Sequence, residues 1–178
     1  WDSDFMDYNI MNGPFKRDIV RELADACKKY DILFGTYYSV LDWKHPDYPI
    51  ELQQGKKVSR ENAVIEKYIA DMKGQLRELV EKYDTKILWF DGEWEEPWTH
   101  EMGLDLYAWA RALNDELLIN NRVDKGRQGM EGVSMSPEFA GDFETPEQRI
   151  GAYNPDTPWE SCITICKQWA WKPNDELK

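Results

Sequence analysis

The chain has 178 residues, a length that fits one domain, and 42% of them are hydrophobic, enough for a substantial core. A net charge of −12, from 34 acidic and 22 basic residues, excludes the basic face of a nucleic-acid binder and a polybasic membrane surface. No apolar run reaches the length of a membrane span.

Asn12-Gly13-Pro14 ends the opening segment, which begins Trp1-Asp2-Ser3-Asp4 and carries no visible targeting signal. Lys16 to Tyr30 has helical spacing, with Ile19, Val20, Leu23, Ala24 and Cys27 on one face. Ile32 to Ser39 reads as a strand from its β-branched and aromatic content. Asp42 to Gly55, rich in Pro and aromatics, reads as a long loop. Ser59 to Tyr83 predicts a long helix with Ile65, Tyr68, Ile69, Met72, Leu76, Leu79 and Val80 inward, weakened at Gly74.

Lys86 to Phe90 is the next strand. It runs into Asp91-Gly92, so that a carboxylate emerges where an apolar strand ends. In parallel α/β folds that place lines the active site. The alternative is an Asp that caps the following helix. A loop with Trp94, Pro97 and Trp98 leads to a helix over Leu104–Leu113 and a short strand over Leu117–Asn121. Gly126 to Gly141 is irregular. Pro146, with Thr145 as N-cap, predicts a short helix, and Ile163 to Trp171 a last strand that alternates with Thr164 and Gln168. His45 and His100 fall in expected loops.

Strands separated by helices imply a parallel sheet, and long loops with aromatics and acids after the strands favour a (β/α)8 TIM-type barrel over a doubly wound sheet. No glycine-rich phosphate loop follows a strand. About four strands are visible, whereas a complete barrel takes roughly 250 residues. The expectation is therefore one partial barrel domain over residues 1–178, about half to two thirds of the whole, with strands missing before Trp1. Three cysteines, Cys27, Cys162 and Cys166, give no disulfide framework, and without a matching His or Cys cluster they read as apolar thiols rather than metal ligands. Nine Trp, several beside Asp, Glu, Pro or Gly, suit stacking on a ring ligand as well as core packing.

An ordered set of short motifs carries a resemblance. Trp1-Asp2-Ser3, Gly13-Pro14-Phe15-Lys16-Arg17-Asp18, Phe34-Gly35-Thr36-Tyr37-Tyr38-Ser39, Asp42-Trp43 and Trp89-Phe90-Asp91-Gly92 are followed by Asn120-Asn121-Arg122, Gly141-Asp142-Phe143-Glu144-Thr145-Pro146-Glu147 and Trp159-Glu160-Ser161-Cys162. Together they resemble the catalytic barrel of the α-L-fucosidases, glycoside hydrolase family 29, over nearly the whole chain.

The resemblance implies retaining hydrolysis of terminal α-L-fucosyl linkages without a cofactor, with a fucosylated glycan as the partner and a secreted, periplasmic or lysosomal setting. Retention needs two carboxyl groups about 5–5.5 Å apart. Asp91 matches the family nucleophile. Glu147 is the choice for acid/base, with Glu138 as competitor and Glu144 a weaker one. Trp89 would shape the sugar pocket. Tyr38 matches a residue that contacts nucleophile and sugar, where a phenol can hydrogen-bond to the carboxylate. Arg122 matches an arginine near the acid/base region. Trp94 and Trp159 complete the expected substrate-binding set, with Trp159-Glu160 as rim or pocket wall. The family's histidine pair is expected on strands before Trp1, and His45 and His100 do not match it. A carbohydrate-binding module without turnover, or a retaining glycosidase of other sugar specificity, remains an alternative on the same residues.

Overall fold

The computed structural model describes residues 1–150 and 156–177. Three parallel strands form its sheet, in the order β1 (Gly35–Ser39), β4 (Ile87–Asp91) and β5 (Leu118–Ile119). Helices separate them: α1 (Ile19–Lys29) precedes β1, α2 (Ile65–Glu81) joins β1 to β4, and α3 (His100–Leu113) joins β4 to β5. This is the α/β alternation expected from the sequence, in a parallel register that runs Gly35↔Ile87 to Ser39↔Asp91.

Each helix begins for a local reason. Asp18 caps α1 by accepting from the Arg21 amide at 3.0 Å, and Lys28 and Lys29 sit in its last turn, where cations oppose the dipole. Thr99 caps α3 through the Met102 amide. The start of α2 has no side-chain cap, so the helix depends on the face it buries: Tyr68, Met72, Leu76 and Leu79, at the spacing that keeps one stripe inward. Gly74, which costs helix propensity, sits where a Cβ would lie 2.2 Å from the Phe5 ring. The opening segment packs on α2 at that position.

Pleating divides the sheet into two chemistries. Thr36, Tyr38, Leu88 and Phe90 are buried, and the last three pack with α2 and with Leu106 and Ala110 of α3 in the core. Tyr37, Trp89 and Asp91 point to the opposite face.

Several boundaries differ from the sequence reading. The expected loop from Asp42 to Gly55 ends in an antiparallel hairpin, β2 (Ile50–Gln53) with β3 (Lys56–Ser59). Its two-residue turn places Gln54 and Gly55 at positive φ, the geometry hairpins favour. Ser59 therefore closes a strand, and α2 starts six residues later. The helix expected at Pro146 does not form, and the segment is extended, with Glu147 bridging in parallel to Cys162. The strand expected over Ile163–Trp171 is absent as well. Ile163 and Ile165 are exposed while Thr164 is buried, so the apolar alternation faced the wrong way for a core. His100 is not in a loop. It opens α3, with Nδ1 2.9 Å from the buried Asp124 carboxylate, which raises the imidazole pKa.

Candidate active site

Asp91 is the last residue of β4, and Gly92 follows at φ +95°, a conformation that favours glycine. A Cβ at position 92 would also lie 2.7 Å from the Leu41 side chain. The chain thus turns at once and leaves the carboxylate at the strand mouth. Asp91 does not cap α3, which begins nine residues on and is capped by Thr99.

Two donors hold Asp91. The Tyr37 hydroxyl donates to Oδ2 at 2.6 Å, and Arg122 Nη1 donates to Oδ1 at 2.6 Å. Burial, and next the bonded carboxylate, push the Tyr37 phenol well above its ordinary pKa, so it stays a donor. The phenol expected from Tyr38 is therefore supplied by its neighbour. Tyr38 lies on the core face, 8% exposed, and donates to Gln75 Oε1 at 2.5 Å. Tyr37 stacks on Trp89, its register partner, at 5.5 Å between ring centroids.

Arg122 reaches the site from the turn after β5. Asn120 ties that turn to β4 with its side-chain amide: Oδ1 accepts from the Phe90 amide at 2.8 Å and Nδ2 donates to the Phe90 carbonyl at 2.9 Å. Asn121 then accepts from the Thr145 hydroxyl at 2.9 Å. The run Asn120-Asn121-Arg122 is thus two anchors followed by the group they aim. Arg122 is 2% exposed, with its guanidinium 4.6 Å from the Trp89 ring centre. Nε donates to Thr145 Oγ1 at 3.0 Å and Nη2 to Glu147 Oε2 at 3.0 Å. Burial disfavours its charge, but the bond to Asp91 and the surrounding carboxylates prevail, and its pKa is raised.

Asp91 and Glu147 therefore sit on the two terminal nitrogens of one guanidinium. They line a cavity of about 650 Å³ with Tyr37, Trp89, Trp94 and Arg122, and with Glu160, Cys162 and Trp169. Three indole rings and three carboxyl groups around one arginine make a surface suited to a sugar ring: flat apolar faces with convergent polar groups. Among the described residues no cluster of three or more His, Cys, Asp or Glu could hold a metal ion.

Of the other expected residues, Trp159 does not line this cavity. It bridges in parallel to Glu144, while its neighbour Glu160 faces the cavity. Glu138 is exposed and Glu144 is buried, accepting from the Ser134 amide at 3.2 Å, and neither is at the cavity wall. Four participants were not singled out from sequence: Tyr37, Glu93, Arg127 and Trp169. Arg127 Nη2 donates to Glu147 Oε2 at 3.3 Å and to the Thr145 carbonyl at 3.2 Å. Its Nη1 lies 3.6 Å from Glu93 Oε1. Glu93 is 3% exposed, and burial pushes its carboxyl up to about 7.

Behind this turn, Glu95 anchors the hairpin. Its buried carboxylate accepts from Trp43 Nε1 at 3.1 Å, the Tyr48 hydroxyl at 2.6 Å and Lys57 Nζ at 2.6 Å.

The α-L-fucosidase family model matches residues 1–178. Among curated proteins, the tissue α-L-fucosidase of Bos taurus is 30% identical over 171 residues, which is 93% of this chain and 33% of the relative. An α-L-fucosidase of Branchiostoma floridae is 33% identical over 171 residues, 92% of this chain and 34% of the relative. Among solved structures, α-L-fucosidase isoenzyme 1 from Paenibacillus thiaminolyticus matches with a TM-score of 0.79 at 34% identity, covering 100% of this chain and 45% of that one. A Bacteroides thetaiotaomicron α-L-fucosidase of family GH29, trapped as a covalent intermediate with 2-fluoro-fucosyl fluoride, matches with a TM-score of 0.78 at 27% identity, covering 100% and 43%. The chain spans about a third of the length of these curated relatives.

Proposed function

The chain belongs to the α-L-fucosidase family, and on that footing we propose that its site performs the retaining hydrolysis of terminal α-L-fucosyl linkages of glycans, within a closed (β/α)8 barrel of which β1, β4 and β5 are staves. The observation that carries this reading is the pairing of Asp91 and Glu147 on the two ends of the Arg122 guanidinium. Two carboxyl groups fixed that close together, at the mouth of parallel strands, suit a double displacement, in which nucleophile and acid/base flank one glycosidic bond.

In the first half-reaction an Asp91 oxygen attacks the anomeric carbon. The bond from that carbon to the leaving oxygen breaks, and Glu147 delivers its proton to that oxygen. In the second, Glu147 takes a proton from water, the water oxygen attacks the anomeric carbon, and Asp91 leaves as carboxylate. Tyr37 and Arg122 hold the nucleophile by donating to different oxygens, which fixes its orientation toward the cavity. Trp89 and Trp94 offer rings against which a pyranose and its methyl group pack, and the fucosylated glycan enters over Trp94 and Trp169.

The test uses the full-length protein. Incubation with 2-fluoro-fucosyl fluoride, followed by proteolysis and mass spectrometry, should place a single fluorofucosyl ester on Asp91. The first-formed product of an aryl α-L-fucoside, followed by NMR, should be the α-anomer. An unlabelled Asp91 with no turnover would favour a carbohydrate-binding module, and a first-formed β-anomer would overturn the double displacement.

A further inference from the structure

Beside the candidate nucleophile stands a buried carboxyl that the double displacement does not use. Glu93 stands just beyond the turn that follows the nucleophile, and Oε2 is buried without a hydrogen-bond partner among the described residues. Among the described residues its one ion-pair contact is Arg127 Nη1, at 3.6 Å from Oε1. Arg127 in turn grips the segment that carries the acid/base candidate. Nε and Nη2 donate to the Thr145 carbonyl at 3.3 and 3.2 Å, Nε to Thr145 Oγ1 at 3.2 Å, and Nη2 to Glu147 Oε2 at 3.3 Å. The same Glu147 oxygen receives Arg122 Nη2 at 3.0 Å.

Two guanidinium groups thus converge on one oxygen. Their mutual repulsion is part of what lowers the Arg127 pKa, after burial itself. The charged and titratable groups that act on or feel Glu93 are Asp91 and Tyr37 from the strands and Arg122, Lys125 and Arg127 from the segment after β5. Of these, Arg127 also holds Glu147. Both cations pull on the same oxygen of the acid/base candidate. A second carboxylate on the other terminal nitrogen of Arg127 divides that pull.

We propose that Glu93 is a positioning residue for the acid/base group: its carboxylate, on Nη1 of Arg127, seats that guanidinium against Thr145 and moderates its hold on Glu147. The ionised form is the productive one. This rests on the function proposed above, and it adds a residue that touches neither sugar nor aglycone.

The decisive variant is Glu93→Gln in the full-length protein, which keeps the shape and removes the charge. A fucoside with a poor leaving group needs proton delivery, and its kcat should fall about ten-fold or more, while an activated aryl fucoside stays within about three-fold. The pH profile of kcat/KM for the poor substrate should carry an ionisation near pH 7 in the native protein, where burial places Glu93, and lose it in the variant. Equal slowing of both substrates, or an unchanged profile, would mean that Glu93 only fills space and would overturn the proposal. If the variant does not fold, Arg127→Lys takes its place. A single ammonium cannot serve Thr145, Glu147 and Glu93 at once, so the same split between substrates is expected, and uniform slowing again refutes the role. A native profile with no ionisation near pH 7 refutes it without any variant. A native protein that hydrolyses no fucoside would overturn the proposed function, and this inference with it.

Discussion

The Tyr37 hydroxyl donates to Asp91 Oδ2 at 2.6 Å, while Tyr38, the next residue, turns away from it to donate to Gln75 at 2.5 Å. One strand position separates a group that holds the nucleophile candidate from a group that holds α2 to the sheet. The two tyrosines therefore make contrasting variants.

Tyr37→Phe should lower kcat/KM for an aryl fucoside by roughly ten-fold, since a hydrogen bond to a charged group is worth about 1.5 kcal/mol at the low end. Its melting temperature should barely move. Tyr38→Phe should do the reverse, costing about 1 kcal/mol of stability for a buried bond while leaving kcat/KM near native. Paired thermal melts and steady-state kinetics decide it, and a larger activity loss in Tyr38→Phe would reverse the assignment.

Asp91→Asn should abolish turnover and fluorosugar labelling with little loss of fold, because an amide of nearly the same shape is a far poorer nucleophile. Arg122 can still donate to the carbonyl oxygen at the Oδ1 position, and the Tyr37 hydroxyl can turn to accept from the new amide NH2 at the Oδ2 position. Residual activity within ten-fold of native, measured on freshly purified protein to exclude deamidation, would remove Asp91 from the mechanism.

Glu147→Ala should slow poor leaving groups most. With an activated substrate, added azide should restore rate and yield the α-fucosyl azide, the product of azide attack on the covalent intermediate with the same retention as hydrolysis. Glu138→Ala should show neither effect, since Glu138 is exposed and away from the cavity wall. Azide rescue in the Glu138 variant alone would transfer the role to that residue.

The carboxyl of Glu93 also leaves a signature in stability. Its pKa is raised from 4.5 to about 7 by burial, so the folded state favours the protonated form. The associated stabilisation is complete below about pH 4.5 and is lost as pH rises through 7, a change of about 3 kcal/mol. Glu93→Gln lacks this loss. Its stability relative to native should therefore rise between pH 5 and pH 8, by up to that amount, even as its activity falls. Chemical denaturation at the two pH values tests this, and a constant difference would contradict it.

How far the sequence discloses this site depends on which signals are periodic. Asp91 was legible because an apolar strand stops at it, and Arg122 and Glu147 because short motifs flank them. The choice of Tyr38 over Tyr37 failed because two adjacent tyrosines look alike until the pleat assigns faces. The hairpin was obscured by Pro46 and Pro49, though Gln54-Gly55 between two short alternating runs is a turn signal. Arg127 and Glu93 lie outside regular elements, so no period points to them. They meet only because Asn120 and Asn121 pin the turn after β5 against β4 and the Thr145 segment. Thr145 followed by proline resembles a helix start, yet its hydroxyl is committed to Asn121, Arg122 and Arg127.

The hairpin and the candidate nucleophile share an anchor in Glu95. Trp43, Tyr48 and Lys57 all end on its carboxylate, and Lys125 Nζ donates to its main-chain carbonyl at 2.7 Å. Anyone grafting a different hairpin onto this scaffold must carry those three partners across. A graft that omits them strands a buried negative charge four residues from Asp91, and the turn that aims Asp91 is what would yield. The outer loop is thus exchangeable in its tip, from Leu52 to Lys56, but not in its roots, where Glu51 holds Arg60 at 2.9 Å.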